Sequence, residues 1–99
     1  MPNLVHELLV TEAAAEKLGA RAITVEEAEQ LVDNRYVIVS NRARARPTDR
    51  KRPARRLLIG RTDGGRALTL VVERTLEPTT WLIVTGWGAT EAERRLLGS

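Results

Sequence analysis

The chain contains no cysteine, no phenylalanine and a single histidine, and these absences exclude several kinds of site. Without cysteine there can be no disulfide, no thiolate metal ligand and no cysteine nucleophile, which fits a reducing compartment. One histidine, His6, cannot hold a metal ion unaided, and the acidic residues form no ligand cluster around it. We therefore expect neither a metal ion nor another cofactor.

Aromatic residues are scarce, since Tyr36, Trp81 and Trp87 make up the whole set. RNA-binding folds that stack bases on exposed rings need several such residues, so this type of platform is disfavoured. No apolar run approaches the roughly 20 residues of a membrane span, and the N-terminus lacks the pattern of a signal peptide. The expected location is the cytoplasm.

The composition is that of a globular protein, and the positive charge is concentrated in one segment of the chain. With 42% hydrophobic and 29% charged residues, it is expected to fold rather than remain disordered. A length of 99 residues predicts a single domain over residues 1–99. The net charge of +3 hides an asymmetry: eleven of the sixteen basic residues lie between Arg35 and Arg66, opposed there only by Asp49 and Asp63.

This basic block favours a polyanionic partner. Ten of its eleven cations are arginines, whose planar guanidinium donates two parallel hydrogen bonds to phosphate. RNA is the first candidate ligand, with Arg44, Arg46, Arg55 and Arg56 as candidate contacts. The alternative is a disordered basic loop that only aids solubility, because arginine-rich loops are common in chains with high-GC codon usage.

The first third of the chain predicts two helices. Residues 4–10 could be a short strand or the start of a helix. Thr11 is a plausible N-cap for a first helix, which Gly19 would end in a left-handed conformation. Thr24 and Glu27 have the spacing of a capping box that starts a second helix, and this helix breaks at residues 33–34.

The remainder alternates with the period of strands. Segments 36–39, 57–59, 67–73 and 81–85 predict strands, and residues 62–65 predict a hairpin turn. The period of two places Trp81, Ile83, Thr85 and Trp87 on one side of the last strand. Thr90 and Glu93 form a further capping box. The predicted class is α+β: two N-terminal helices, a three- to four-stranded antiparallel sheet and a short C-terminal helix.

Two arginines beside the predicted turn are the clearest candidates for chemistry. Arg61 and Arg66 could project together and neutralise charge on a phosphate. The alternative is that they pair with Asp63, Glu73 or carboxylates of the helices. His6 could act as a general base, or it could be an ordinary surface residue.

An ordered set of short segments resembles the BrnT branch of the RelE-like toxins. The resemblance spans nearly the whole chain and is densest around the predicted hairpin. Its segments are Lys17-Leu18-Gly19, residues 23–29, residues 56–72, residues 84–87 and Glu93-Arg94. The resemblance implies a compact α+β toxin that cleaves RNA without a metal ion. It also implies a genetically linked antitoxin that binds the toxin.

The resemblance carries over a set of candidate site residues, namely Arg56, Arg61, Arg66, Glu93, Arg94 and Lys17. The chain departs from the family at two places. The family often has Lys-His-Gly where this chain has Lys17-Leu18-Gly19, and its last strand usually ends in Ala-Arg rather than Gly86-Trp87. Both departures remove polar groups that could assist cleavage.

The leading hypothesis is therefore a type II toxin-like endoribonuclease. The RNA 2′-hydroxyl would attack the adjacent phosphate, Arg61 and Arg66 would neutralise it, and Glu93, Lys17 or His6 would move protons. The second hypothesis is a non-catalytic nucleic-acid or protein binding module that retains the toxin fold. A third is a structural partner whose basic loop docks on an acidic protein.

Overall fold

The computed structural model describes residues 5–40 and 55–98, which form eight elements. None of the described helices is long and apolar enough to cross a membrane. The predicted α+β class is confirmed. In chain order the elements are β1 (Glu7–Val10), α1 (Glu12–Gly19), α2 (Val25–Asp33), β2 (Tyr36–Ser40), β3 (Arg55–Arg61), β4 (Ala67–Arg74), β5 (Thr80–Gly88) and α3 (Glu91–Leu96).

The described strands form one five-stranded sheet in the order β1-β5-β4-β3-β2. The largely apolar strand β4 lies at its centre, and its two charged residues, Glu73 and Arg74, are at its end. β1 runs parallel to β5, whereas the other neighbours are antiparallel. The prediction of three to four antiparallel strands is thus wrong, because the sheet is mixed and has a fifth strand. β1 spans four residues, too few for hydrophobic periodicity to separate a strand from a helix.

The helix N-termini follow the sequence signals. The Thr11 hydroxyl accepts a hydrogen bond from the Ala14 amide, and both capping boxes, at Thr24 and Thr90, are present. α1 ends at Gly19 as predicted, but the left-handed conformation predicted for Gly19 is wrong, because the positive φ of 57° falls at Ala22. Ala20 keeps the right-handed helical conformation. The Ile23 amide then donates a hydrogen bond to the Leu18 carbonyl at 3.0 Å.

One extra residue interrupts the pairing of β5 with the central strand. Val71 lies opposite Thr85, but its neighbour Val72 lies opposite Ile83, so Val84 has no partner on β4. A bulge of this kind shifts the alternation of side chains by one residue. Odd-numbered residues of β5 before the bulge therefore point to the same face of the sheet as even-numbered residues after it.

The bulge decides where the two tryptophans point. Trp81 and Ile83 belong to the main core beneath α1 and α2, whereas the Trp87 indole reaches α3 on the other face. The prediction that Trp81, Ile83, Thr85 and Trp87 share one side is wrong, because it assumed an unbroken period of two. We call the two surfaces of the sheet the α1–α2 face and the α3 face.

Two sets of apolar residues hold the layers together. The main set fills the space between the sheet and the α1–α2 pair; its largest members include Leu18, Leu31, Leu58, Leu70 and Trp81, all at most 1% exposed. The second set is buried outside this core and consists of Ile59, Val71 and Leu97. Ile59 and Val71 lie on the α3 face. α3 spans only six residues, so the described helices cover much less of this second face than of the first.

Gly86 and Gly88 provide a matched test of this packing. A Cβ atom at Gly86 would lie 2.7 Å from Leu70 Cδ2 and 3.0 Å from both Leu18 Cδ2 and the Thr69 carbonyl oxygen, whereas at Gly88 it would meet nothing within 4 Å. We expect Gly86→Ala to lower the free energy of unfolding by about 1–3 kcal/mol through overpacking. Gly88→Ala should change it by less than about 0.5 kcal/mol. Urea denaturation measures both, and equal effects would contradict the close approach of α1 to β5.

Candidate functional site

The candidate site residues divide between two ends of the sheet. The hairpin end carries the β3–β4 turn, the end of β5 and the α1–α2 connection. The loop end lies opposite, where β2 ends and β3 begins. Arg55 and Arg61 mark these two ends of β3 and lie about 20 Å apart at the usual strand rise. One catalytic centre cannot include residues from both ends.

Arg66 is held against the helices at the hairpin end. Its Nη1 donates to the Ala22 carbonyl at 2.7 Å and to Glu27 Oε1 at 3.2 Å. The backbone hydrogen bond from Thr24 and the Arg66 guanidinium lower the pKa of Glu27 below its ordinary value, outweighing burial. Arg66 thus adopts the alternative arrangement, a pair with a helix carboxylate, and stabilises the positive-φ residue Ala22.

Arg61 lies at the same end but on the α3 face. It is opposite Ala67 in the sheet register, and its Nη1 donates to the Gly65 carbonyl at 3.3 Å across the turn. Gly65 adopts a φ of +88°, as the predicted tight turn requires. The two guanidinium groups therefore contact different acceptors, and Arg66 turns toward the α1–α2 connection.

Glu93 is the centre of a hydrogen-bond network that fastens α3 to the sheet. Its Oε1 accepts from Thr69 Oγ1 at 2.9 Å, from Trp87 Nε1 at 3.0 Å and from the Thr90 amide at 2.8 Å. Burial raises the pKa of Glu93, but these hydrogen bonds outweigh it and lower the pKa below 4.5. Because Glu93 Oε1 already accepts from three donors, it has little capacity left to accept a proton from a substrate. The arrangement supports a positioning role for Glu93.

Sequence reasoning missed the part played by Arg21 and Thr69. Arg21 Nη1 donates to the Gly86 carbonyl at 2.9 Å, and its guanidinium carbon lies 5.9 Å from the centre of the Trp87 ring. No pattern in the sequence around Arg21 predicted this contact. Thr69 did carry one, because a threonine in an otherwise apolar central strand needs a partner.

The loop end holds Arg55, Arg56 and His6. Arg55 Nε forms an ion pair with Glu73 Oε1 at 2.8 Å, and Arg56 Nη1 donates to the Arg55 carbonyl at 3.2 Å. His6 is exposed where β1 begins, and its amide donates to the Thr79 carbonyl. His6 is therefore remote from Arg61 and Arg66.

The other candidates do not complete a centre. Lys17 is exposed in the last turn of α1, and Arg94 is exposed on α3. Arg44 and Arg46 lie outside the described residues. Among residues 5–40 and 55–98, no group of three or more histidine, aspartate or glutamate side chains could hold a metal ion.

Charge is segregated along the chain. The described ranges contain ten Lys and Arg against twelve Asp and Glu, and residues 41–54 contain six Lys and Arg against Asp49 alone. The positive net charge therefore originates in the segment that connects β2 to β3 at the loop end.

Comparisons with protein-family models, curated proteins and solved structures found no match to this chain.

The Glu93 network predicts a pH-dependent contribution to stability. Because the folded state lowers the pKa of Glu93, its contribution is present above the unfolded pKa of about 4.5 and is lost as pH falls through the folded pKa. Glu93→Gln should cost about 1–2 kcal/mol at pH 7, and this difference should shrink at pH 3.5. Urea denaturation at both pH values measures it.

Glu91→Gln is the matched control in the same helical turn. Among the described residues Glu91 pairs only with Arg95, in an exposed i,i+4 ion pair, so its loss should cost about 0.5 kcal/mol or less. If the two variants lose equal stability, or if the cost of Glu93→Gln persists unchanged at pH 3.5, the network is not what fastens α3.

Proposed function

We propose that this chain is a toxin-like module that binds RNA without cutting it, with RNA contacts concentrated at the loop end. The distribution of charge carries this proposal. Six basic residues against one acidic residue lie between β2 and β3, while the described part has more acidic than basic residues. Phosphate binding by such a segment releases counterions, which favours RNA irrespective of its sequence.

The arrangement of the candidate catalytic residues favours binding over cleavage. A clamp on a reacting phosphate needs donors preorganised around one position. Arg66 is engaged by Glu27 and Ala22, and Glu93 accepts from three donors. His6 lies at the opposite end of the sheet. These contacts support structural roles for residues that a ribonuclease would need for chemistry.

The remaining parts of the proposal follow from the sequence resemblance. α1 and α2 precede four antiparallel strands and α3 follows them, which supports the RelE- and BrnT-like arrangement. The proposed partners are RNA and a cognate antitoxin, and the proposed compartment is the cytoplasm.

The salt dependence of RNA affinity tests the proposed contacts. Removing two phosphate contacts by Arg44→Gln with Arg46→Gln should weaken binding and reduce the slope of log affinity against log salt by about 1.4 for single-stranded RNA. Arg95→Gln removes an exposed charge on α3 and should leave the slope unchanged. Electrophoretic retardation at a series of salt concentrations gives the slopes. Equal slopes for wild type and the double variant would contradict a loop-end interface.

The second candidate function is a metal-independent endoribonuclease. The presence of Arg61, Arg66 and the Glu93 network at one end of the sheet favours it. In this reading the 2′-hydroxyl attacks the neighbouring phosphate, the bond from phosphorus to the 5′-oxygen breaks, and Arg61 and Arg66 neutralise the phosphate. Lys17 is the candidate that moves protons, because His6 lies at the opposite end of the sheet and Glu93 positions α3.

Induced expression separates the two functions. The binding proposal predicts that wild type leaves cellular RNA intact and that purified protein binds RNA without products. If RNA is cut, and if Arg61→Ala with Arg66→Ala slows the cutting about a hundredfold or more, the endoribonuclease is correct and the proposal of binding alone is wrong.

A further inference from the structure

β2 is an edge strand, and the described residues give it none of the usual protection. It pairs with β3 and, within the described part of the chain, with no other strand. Residues 36–40 read Tyr-Val-Ile-Val-Ser and contain no charge, proline or glycine. Natural edge strands usually carry charges, prolines or bulges, because a bare edge offers unpaired amides and carbonyls to another chain.

The edge is also held in a fixed extended conformation. All five residues of β2 are in register with β3, and the Tyr36 hydroxyl accepts a hydrogen bond from the Val5 amide at 3.0 Å. Ile38 packs against the main core, and Val37 and Val39 are half-buried toward the α3 face. A preformed edge lowers the entropic cost of adding a strand.

Arginines flank β2 at both ends. Arg35 immediately precedes it, and Arg56 lies opposite Ser40 at its other end. Within residues 5–40 and 55–98, neither arginine forms an ion pair. The charge beside the edge is therefore positive and is not neutralised by the described carboxylates.

We propose that β2 is a docking edge for an extended segment of another polypeptide, with apolar residues at its centre and acidic residues at its ends. Backbone hydrogen bonds would add this segment as a sixth strand, and its carboxylates would meet Arg35 and Arg56. This inference does not depend on RNA binding.

A second copy of the chain fits the edge less well. Antiparallel pairing of two β2 strands about Ile38 brings Arg35 of each copy to the end where Ser40 and Arg56 of the other lie. Like charges would meet at both ends of the pair, and such juxtaposition is destabilising. The same positive flanks attract a segment with acidic ends.

Synthetic peptides test the docking edge on the full chain. The probe is a short peptide of alternating valine and threonine with glutamate at both ends. One control carries lysine at both ends, and another carries N-methyl groups on alternate amides. We expect the glutamate peptide to slow hydrogen exchange at the amides of residues 36–40 but not at 7–10, and to bind about tenfold more tightly than the lysine peptide at low salt. The N-methylated peptide should give no protection, because it cannot complete the strand ladder.

A charge reversal makes the test internally controlled. The variant with Arg35→Glu and Arg56→Glu should invert the preference and bind the lysine peptide more tightly, while circular dichroism verifies its fold. The proposal is wrong if the glutamate peptide leaves exchange in β2 unchanged, if it protects β1 equally, or if the reversal does not invert the preference. Slow exchange of the outward amides of β2 in the free protein at high dilution would also overturn it.

Discussion

A single unpaired residue in β5 organises both faces of the sheet. The bulge at Val84 lets Trp81 and Ile83 enter the core beneath α1 and α2, and then turns Trp87 to the opposite face. After the bulge, Gly86 occupies the inward position, where a Cβ atom would crowd Leu70 and Thr69 of β4 and Leu18 of α1. The Trp87 indole and Thr69 hydroxyl meet on the α3 face and supply two of the donors that hold Glu93. The position of α3 thus follows from a local irregularity of one strand.

The same architecture separates the charged groups of the chain. The hairpin end binds its arginines internally: Arg66 bridges to Glu27, and Arg21 caps the Gly86 carbonyl beside Trp87. The loop end leads into a segment with six basic residues and one acidic residue. Arginines at the first end are used to join elements, whereas the local excess of positive charge lies at the second. This division is the physical basis for proposing polyanion binding over phosphate chemistry at the hairpin.

Sequence reasoning succeeded where the determinants are local. The capping boxes at Thr24 and Thr90 and the turn at Gly65 are set by residues within four positions of one another, and each appears in the structure. Sequence reasoning failed where the structure depends on pairing between distant segments of the chain. β1 is a strand because β5 lies beside it, and the bulge at Val84 exists only relative to β4. The helix carboxylate that Arg66 would meet could not be known from spacing, because Glu27 lies 39 residues earlier in the chain.

Mapping amide chemical shifts during titration with single-stranded RNA tests the central claim most directly. The account predicts that intact RNA shifts amides at the loop end, including Val39, Arg55 and Arg56, while Arg61, Arg66 and Glu93 at the hairpin end remain unperturbed. Shifts concentrated at the hairpin end, or RNA recovered as fragments, would contradict it.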